Sequence, residues 1–171
     1  MINTQHITAQ ARADTPLGPV TLAATEQGLA GLWFDAQSHH PGAIDAPVNA
    51  QQRFIAQAAR ELAEYFRGER NEFSVPIDAH GTVFQQKVWQ ALRRIASGET
   101  TSYGEIARST GKAAAVRAVG AAVGRNPVSI IVPCHRVLGS DGSLTGYAGG
   151  LPRKSALLGL EGVAVAEKVG V

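Results

Sequence analysis

A chain of 171 residues can hold one full-sized domain or two small ones. Hydrophobic residues make up 44% and charged residues 18%, no apolar run is long enough to span a bilayer, and one cysteine cannot close an internal disulfide, so a membrane-spanning or disulfide-stapled protein is not expected. The net charge of +2 hides an asymmetry: residues 1–81 carry five Lys/Arg against nine Asp/Glu (net −4), and residues 82–171 carry eleven against five (net +6).

A basic second half suits a polyanionic partner, although chance segregation of solvated charges explains the numbers equally well. The first twelve residues show no basic start followed by an apolar core, so no secretory signal is expected and a cytoplasmic location is.

Thr15-Pro16-Leu17-Gly18-Pro19 reads as a turn. Val20, Leu22 and Ala24 alternate with polar or small residues, the pattern of a half-buried strand. Gln27-Gly28 can turn the chain into a return strand over 29–34. Residues 36–49, with Pro41, Gly42 and Pro47, read as a loop. Asn49 can cap a helix whose Phe54, Ala58, Leu62, Tyr65 and Phe66 fall on one face, and Gly68 can end it. Residues 74–81, around Pro76 and Gly81, are the best linker, and the charge sign changes there.

The second half reads as mostly helical. Thr82 to Gln85 fits a capping box ahead of an apolar stripe of Phe84, Val88, Ala91, Leu92 and Ile95, with Gly98 as the stop. Ser102 to Glu105 fits a second box, opening a short helix to about Ser109. Gly111 can make a tight turn into a helix over 113–123, with Val116, Val119 and Val123 on one side. Two short helices around a glycine turn are a helix-turn-helix pattern, common and weak alone. Residues 129–132 read as a short apolar strand stopped by Pro133. A glycine-rich stretch over 139–150 precedes a last helix, with Pro152 in its first turn, Leu157, Leu158 and Leu160 apolar, and Gly162 at its end. The tail beyond is expected to be loosely held.

The most informative stretch is Pro133-Cys134-His135-Arg136. A thiol becomes a nucleophile when a base or positive charge lowers its pKa, and His135 and Arg136 supply both chemical types. On a strand the Cys134 and His135 side chains would point to opposite faces, so their coupling needs a bend or a bridging water. Taken alone, a cysteine after an apolar strand is more often an inert core residue.

The surroundings change that reading. Thr101-Ser102-Tyr103-Gly104-Glu105-Ile106-Ala107, Val116-Arg117-Ala118-Val119-Gly120, Asn126-Pro127, Pro133 to Val137, Gly146-Tyr147-Ala148-Gly149-Gly150, Lys154 and Leu160-Glu161-Gly162 follow one another in order. Their order and spacing resemble the O6-alkylguanine-DNA alkyltransferases, or methylated-DNA–protein-cysteine methyltransferases. The resemblance is strong over about 82–162 and weaker over 1–81, where the Tyr65-Phe66-Arg67-Gly68 helix end is the clearest likeness.

The resemblance implies an α+β protein: a ribonuclease H-like N-terminal domain over 1–78, then a winged-helix-like (helix-turn-helix) C-terminal domain over 79–171. It implies DNA repair by direct reversal, with an alkyl group moved once from O6-alkylguanine to Cys134, and O4-alkylthymine left open. The matching histidine, His135, takes the thiol proton through a water, and Glu161 holds the imidazole. Asn126 supports the active-site turn. Tyr103 gives a proton or hydrogen bond to the purine as the leaving oxygen departs. Tyr147, Ala148, Gly149, Lys154 and Val137 line the base pocket; Ala148 stands where some relatives carry a serine hydroxyl. Arg117 fills the gap left by a flipped nucleotide, with Ala118, Gly120, Tyr103 and Arg136 also at the DNA.

The expected partner is therefore duplex DNA containing alkylated guanine, bound in the minor groove with little sequence preference by a monomer that needs no cofactor. Helix 113–123, nearly all small residues, could approach a groove closely, although an Ala-rich helix is more often simply tightly packed. Trp33 and Trp89 are expected in the core, and Arg93-Arg94 on a solvated face. Some relatives hold zinc with N-terminal cysteines and histidines; with no cysteine there, His39, His40 and His80 are not expected to form such a site. A non-catalytic reader of alkylated bases and a helix-turn-helix regulator are the rivals. The reader would lack the cysteine, and the regulator would not need Pro133 to Arg136.

Overall fold

Val20 to Ala24 does not expose alternate residues; every one is buried, because the strand is flanked on both edges and also covered on its faces: the helix over 53–66 packs against it, and Ile44 and Ala46 pack on the cluster that holds Ala23. The computed structural model describes residues 3–165. Its first three strands, β1 (Ala9–Ala13), β2 (Val20–Ala24) and β3 (Leu29–Phe34), pair antiparallel in chain order, with Leu22 opposite Ala11 and Leu32. β1 escapes sequence reading because Ala-Gln-Ala-Arg-Ala has little strand propensity. Gly28 is required for close approach: a Cβ there would sit 2.8 Å from Pro76 O, where the 76–78 segment pairs alongside β3 through Leu29 N–Pro76 O and Asp78 N–Leu29 O bonds of 2.8 Å.

Helix α1 (Arg53–Phe66) buries Phe54, Ile55, Ala58, Leu62 and Tyr65. Its cap is Gln52 rather than Asn49: Gln52 Oε1 accepts from the Phe54 and Ile55 amides, while Asn49 Oδ1 is used by the Gln51 amide. Gly68, at φ +75°, ends the helix in the left-handed region as expected.

The chain divides into two units, Met1–His80 with Pro127–Ser129, and Gly81–Asn126 with Ile130–Val171. The second unit contains α2 (Val83–Leu92), β4 (Thr101–Ser102), α3 (Tyr103–Ser109), α4 (Val116–Gly124), β5 (Val137–Leu138) and α5 (Leu151–Leu160). Thr82 and Gln85 form the expected reciprocal capping box on α2. Ser102 Oγ caps α3 by accepting from the Glu105 amide. β4 and β5 form a parallel pair beside the helix-turn-helix of α3 and α4, the winged-helix-like arrangement expected. Both tryptophans are core residues, and Trp89 Nε1 donates to Ala122 O at 2.9 Å.

Two expectations fail here. α4 begins at Val116, not 113: a turn closed by Ala115 N to Lys112 O precedes it, and no side chain caps its start. Val119 and Val123 are buried with Ala122, but Val116 on the first turn is 40% exposed. Residues 129–132 are not a strand; they form a buried turn with Ile130 at φ +71°. A run that is apolar because it is enclosed on all sides carries no period to read. Of the three leucines of the last helix, Leu157 and Leu158 are buried and Leu160 is exposed. The tail expected to be loose falls, from residue 166, outside the described residues.

Candidate active site

The site is delivered by the turn that replaces the expected strand. Asn126 follows α4, and its buried Nδ2 donates to Val132 O at 2.8 Å, closing the loop that leads to Pro133. The Cys134 amide donates to the same Val132 O at 2.8 Å. Cys134–Arg136 then make one 3-10 turn, on which consecutive side chains are no longer forced to opposite faces. This supplies the bend that Cys134 and His135 require. All three residues are buried, with Cys134 4% exposed and His135 0%.

Glu161, at the C-cap of α5, reaches this turn. His135 Nε2 lies 2.8 Å from its Oε2, and Arg136 grips it bidentately, Nε to Oε1 at 2.8 Å and Nη2 to Oε2 at 2.9 Å. Arg136 Nη1 donates to Ile95 O at 2.6 Å. This corrects the expectation for Arg136. Its guanidinium is buried and committed within the protein, so it holds Glu161 rather than meeting DNA.

A carboxylate only accepts, so Nε2 carries the imidazole proton and the lone pair lies on Nδ1. Nδ1 is buried and has no hydrogen-bond partner among the described residues. Burial lowers the pKa of His135; Glu161 opposes this, while Arg136 and Lys154 add to it. The ring is therefore neutral at neutral pH and can take a proton at Nδ1. Burial pushes the Cys134 thiol above its ordinary range, against the Asn126 hydrogen bond and the Lys154 charge. The resting thiol keeps its proton, so activation needs a base and not a standing thiolate, contrary to the expectation of a lowered pKa.

A second group surrounds the loop over 139–150. Tyr103, first residue of α3, donates its hydroxyl toward Thr145 O at 3.3 Å and Gly146 O at 3.5 Å, and burial raises its pKa. Lys154 is 0% exposed and donates to Val137 O at 2.6 Å, Thr145 O at 2.7 Å and Gly146 O at 3.1 Å. Burial pushes Lys154 down to about 8, with Cys134 pulling the other way. Tyr147 and Ala148 are half-buried and Gly149 is buried. The sequence named Lys154 but missed its burial. The signal was present: Lys154, Leu157 and Leu158 are three and four residues apart, which places them on one helix face.

Arg117 and Ala118 are exposed on the first turn of α4. Gly120, one turn on, faces Tyr103: a Cβ there would sit 3.9 Å from Tyr103 Cδ1. Among the described residues, no cluster of three His, Cys, Asp or Glu could hold a metal ion, and no helix is long and apolar enough to cross a membrane.

The family model for the DNA binding domain of 6-O-methylguanine DNA methyltransferase matches residues 83–163, and that for its ribonuclease-like domain matches residues 10–79. The chain is 50% identical over 149 residues to the methylated-DNA–protein-cysteine methyltransferase of Mycobacterium leprae, covering 86% of this chain and 88% of the relative. It is 43% identical over 159 residues to the constitutive enzyme of that name from Bacillus subtilis, covering 91% and 96%. Among solved structures, the Mycobacterium tuberculosis O6-methylguanine methyltransferase matches with a TM-score of 0.82 at 46% identity, over 95% of this chain and 98% of that one. Mycobacterium tuberculosis OGT in complex with DNA matches with a TM-score of 0.82 at 47% identity, over 90% and 92%.

Proposed function

The chain belongs to the 6-O-methylguanine DNA methyltransferase family, and we propose that Cys134 is the residue on which its alkyl group ends. It is a methylated-DNA–protein-cysteine methyltransferase: its partner is DNA, and it repairs alkylated guanine by direct reversal.

The observation that carries the site reading is the 2.8 Å His135–Glu161 bond next in sequence to the buried Cys134, with His135 Nδ1 unpartnered among the described residues. His135 takes the thiol proton at Nδ1, through a bridging water, as substrate arrives. Glu161 fixes the ring tautomer and stabilises the imidazolium that forms. Sγ attacks the saturated carbon in line; the S–C bond forms as the C–O6 bond breaks, and the electron pair leaves on the guanine. Tyr103 donates to the purine ring as that charge develops. Asn126 holds the turn and hydrogen-bonds Cys134. The product is a thioether, which water does not cleave, so each chain acts once.

The lesion is out of reach inside a duplex, so the nucleotide must be flipped. Arg117 and Ala118 are exposed on a helix of small residues suited to the minor groove, where shape outweighs sequence. Arg117 fills the vacated stack, and Val137, Tyr147, Ala148 and Gly149 enclose the base. The chain acts as a monomer with no cofactor, in the cytoplasm, where a free thiol stays reduced.

Intact mass after mixing with duplex O6-methylguanine DNA tests the chemistry: one methyl, mapping to Cys134, is expected. Sustained turnover, or methyl elsewhere, sinks the reading, and Cys134→Ala should bind DNA yet gain no mass. Arg117→Ala should slow transfer from duplex by about 10-fold, equivalent to about 1.4 kcal/mol of unstacking, yet leave reaction with the free modified base unchanged. If saturating protein restores the duplex rate, Arg117 is only a phosphate contact.

A further inference from the structure

Two backbone carbonyls beside the site are claimed twice. Thr145 O lies 2.7 Å from Lys154 Nζ and 3.3 Å from Tyr103 Oη; Gly146 O lies 3.1 Å from Lys154 and 3.5 Å from Tyr103. The ammonium is the nearer donor at both, and as a charged donor it forms the stronger bond. Its third proton goes to Val137 O at 2.6 Å, so all three are used and all go to backbone. A fully buried cation on the same helix face as Leu157 and Leu158 is an expensive way to fill space. A thioether or alkyl chain would pack there. What an apolar residue could not do is satisfy those carbonyls, which would then draw Tyr103's single hydrogen onto themselves.

We infer that Lys154 is a positioning residue: by occupying the Thr145 and Gly146 carbonyls, it leaves the Tyr103 hydroxyl a loosely held donor, free to turn to the flipped base. This rests on the reading of Tyr103 as the donor to the purine. Lys154 also ties the loop over 139–150 to the start of β5, one turn of chain from Cys134. The titratable groups that face it are Cys134 and His135 on the 3-10 turn and Tyr103 on α3. Burial favours loss of its proton, and the three carbonyls hold the proton in place at neutral pH. Above a pH of about 8 the ammonium is lost and the carbonyls return to Tyr103.

The test is single-turnover transfer at saturating duplex DNA across pH, for Lys154→Met, Lys154→Arg, Tyr103→Phe and Lys154→Met/Tyr103→Phe. Lys154→Met should slow transfer by about 10-fold, the factor equivalent to about 1.4 kcal/mol. Tyr103→Phe should cost about 10-fold in the native background but less than about 2-fold beside Lys154→Met, because there the hydroxyl is already captive. Lys154→Arg, which cannot lose its charge in this range, should abolish the alkaline decline. In the native protein without DNA, the carbonyl 13C shifts of Val137, Thr145 and Gly146 should titrate with one shared midpoint. Equal cost of Tyr103→Phe in both backgrounds overturns the inference while leaving Tyr103's role intact. No cost of Tyr103→Phe in the native background defeats the Tyr103 reading itself. If Lys154→Met does not fold, the native carbonyl shifts decide, and the lack of a shared midpoint overturns the inference.

Discussion

Among the described residues, each unit of the molecule buries one glutamate to the same depth, side chain 1% exposed, and uses it differently. In the first unit, Glu61 on α1 accepts from the backbone amides of Ser74 and Val75 at 2.9 and 3.1 Å and from Gln57 Nε2 at 3.0 Å, with Arg70 at 3.8 Å. In the second, Glu161 accepts from an imidazole and a guanidinium. Glu61 pins a returning loop to a helix, and its partners are backbone amides, a side-chain amide and a guanidinium, with no imidazole among them. Glu161 has a partner that can gain a proton, one residue from the nucleophile. Burial and residue type are the same, so neither identifies a catalytic carboxylate; the protonation chemistry of its partners does.

Glu161→Gln gives the largest effect. The amide leaves Arg136 without its counter-charge and no longer stabilises the imidazolium, so single-turnover transfer should fall by about 100-fold, a typical general-base contribution. Stability should fall as well, by about 3–5 kcal/mol, because a buried cation is left unpaired. Rate is to be read at low temperature on protein shown folded by near-ultraviolet circular dichroism. Glu61→Gln should weaken denaturant stability by about 1–3 kcal/mol, the cost of poorly satisfied buried amides, with the transfer rate per folded molecule unchanged. Equal rate losses in the two variants would break the comparison.

The smallest effect is acid sensitivity. The pKa of His135 is depressed in the folded state, so from pH about 6.5 downward the unfolded chain binds the proton that the folded chain refuses. Stability is full above that value and is lost as pH falls toward the folded pKa, by at most about 1.4 kcal/mol per pH unit for this group. His6 in the first unit is also lowered and adds to the loss. His135→Asn should therefore lessen, without removing, the fall in Tm between pH 6.5 and 5. An unchanged fall assigns the effect elsewhere.

What the sequence disclosed was local in the chain. Pro133 to Arg136 is contiguous, the Thr82–Gln85 cap spans one turn, and Gly68 stops its helix through its own φ. Glu161 was named only through the family resemblance, and the structure places its Oε2 2.8 Å from His135 Nε2. What stayed hidden depended on partners far along the chain. Arg136 reads as a DNA cation until Ile95 O and Glu161 are seen to hold it. β1 has no propensity of its own and is a strand because β2 and Val48 pair with its edges. The 129–132 turn looks like a strand because Ile130, Ile131 and Val132 are consecutive and all buried, so they show no period that would betray a bend.

The depth of Cys134 has a consequence for the molecule after it reacts. Its side chain is 4% exposed, so S-methylation enlarges a buried side chain. Transfer thus amounts to a small-to-large core substitution written by the lesion itself. Overpacking of this kind costs about 1–3 kcal/mol, against about 5–15 kcal/mol of total stability for a typical protein. A lower Tm after methylation reads it directly. The used chain is then the looser one, distinguishable from its unreacted siblings by proteolysis without any added tag, and the loss of intact molecules becomes a running count of the lesions already removed.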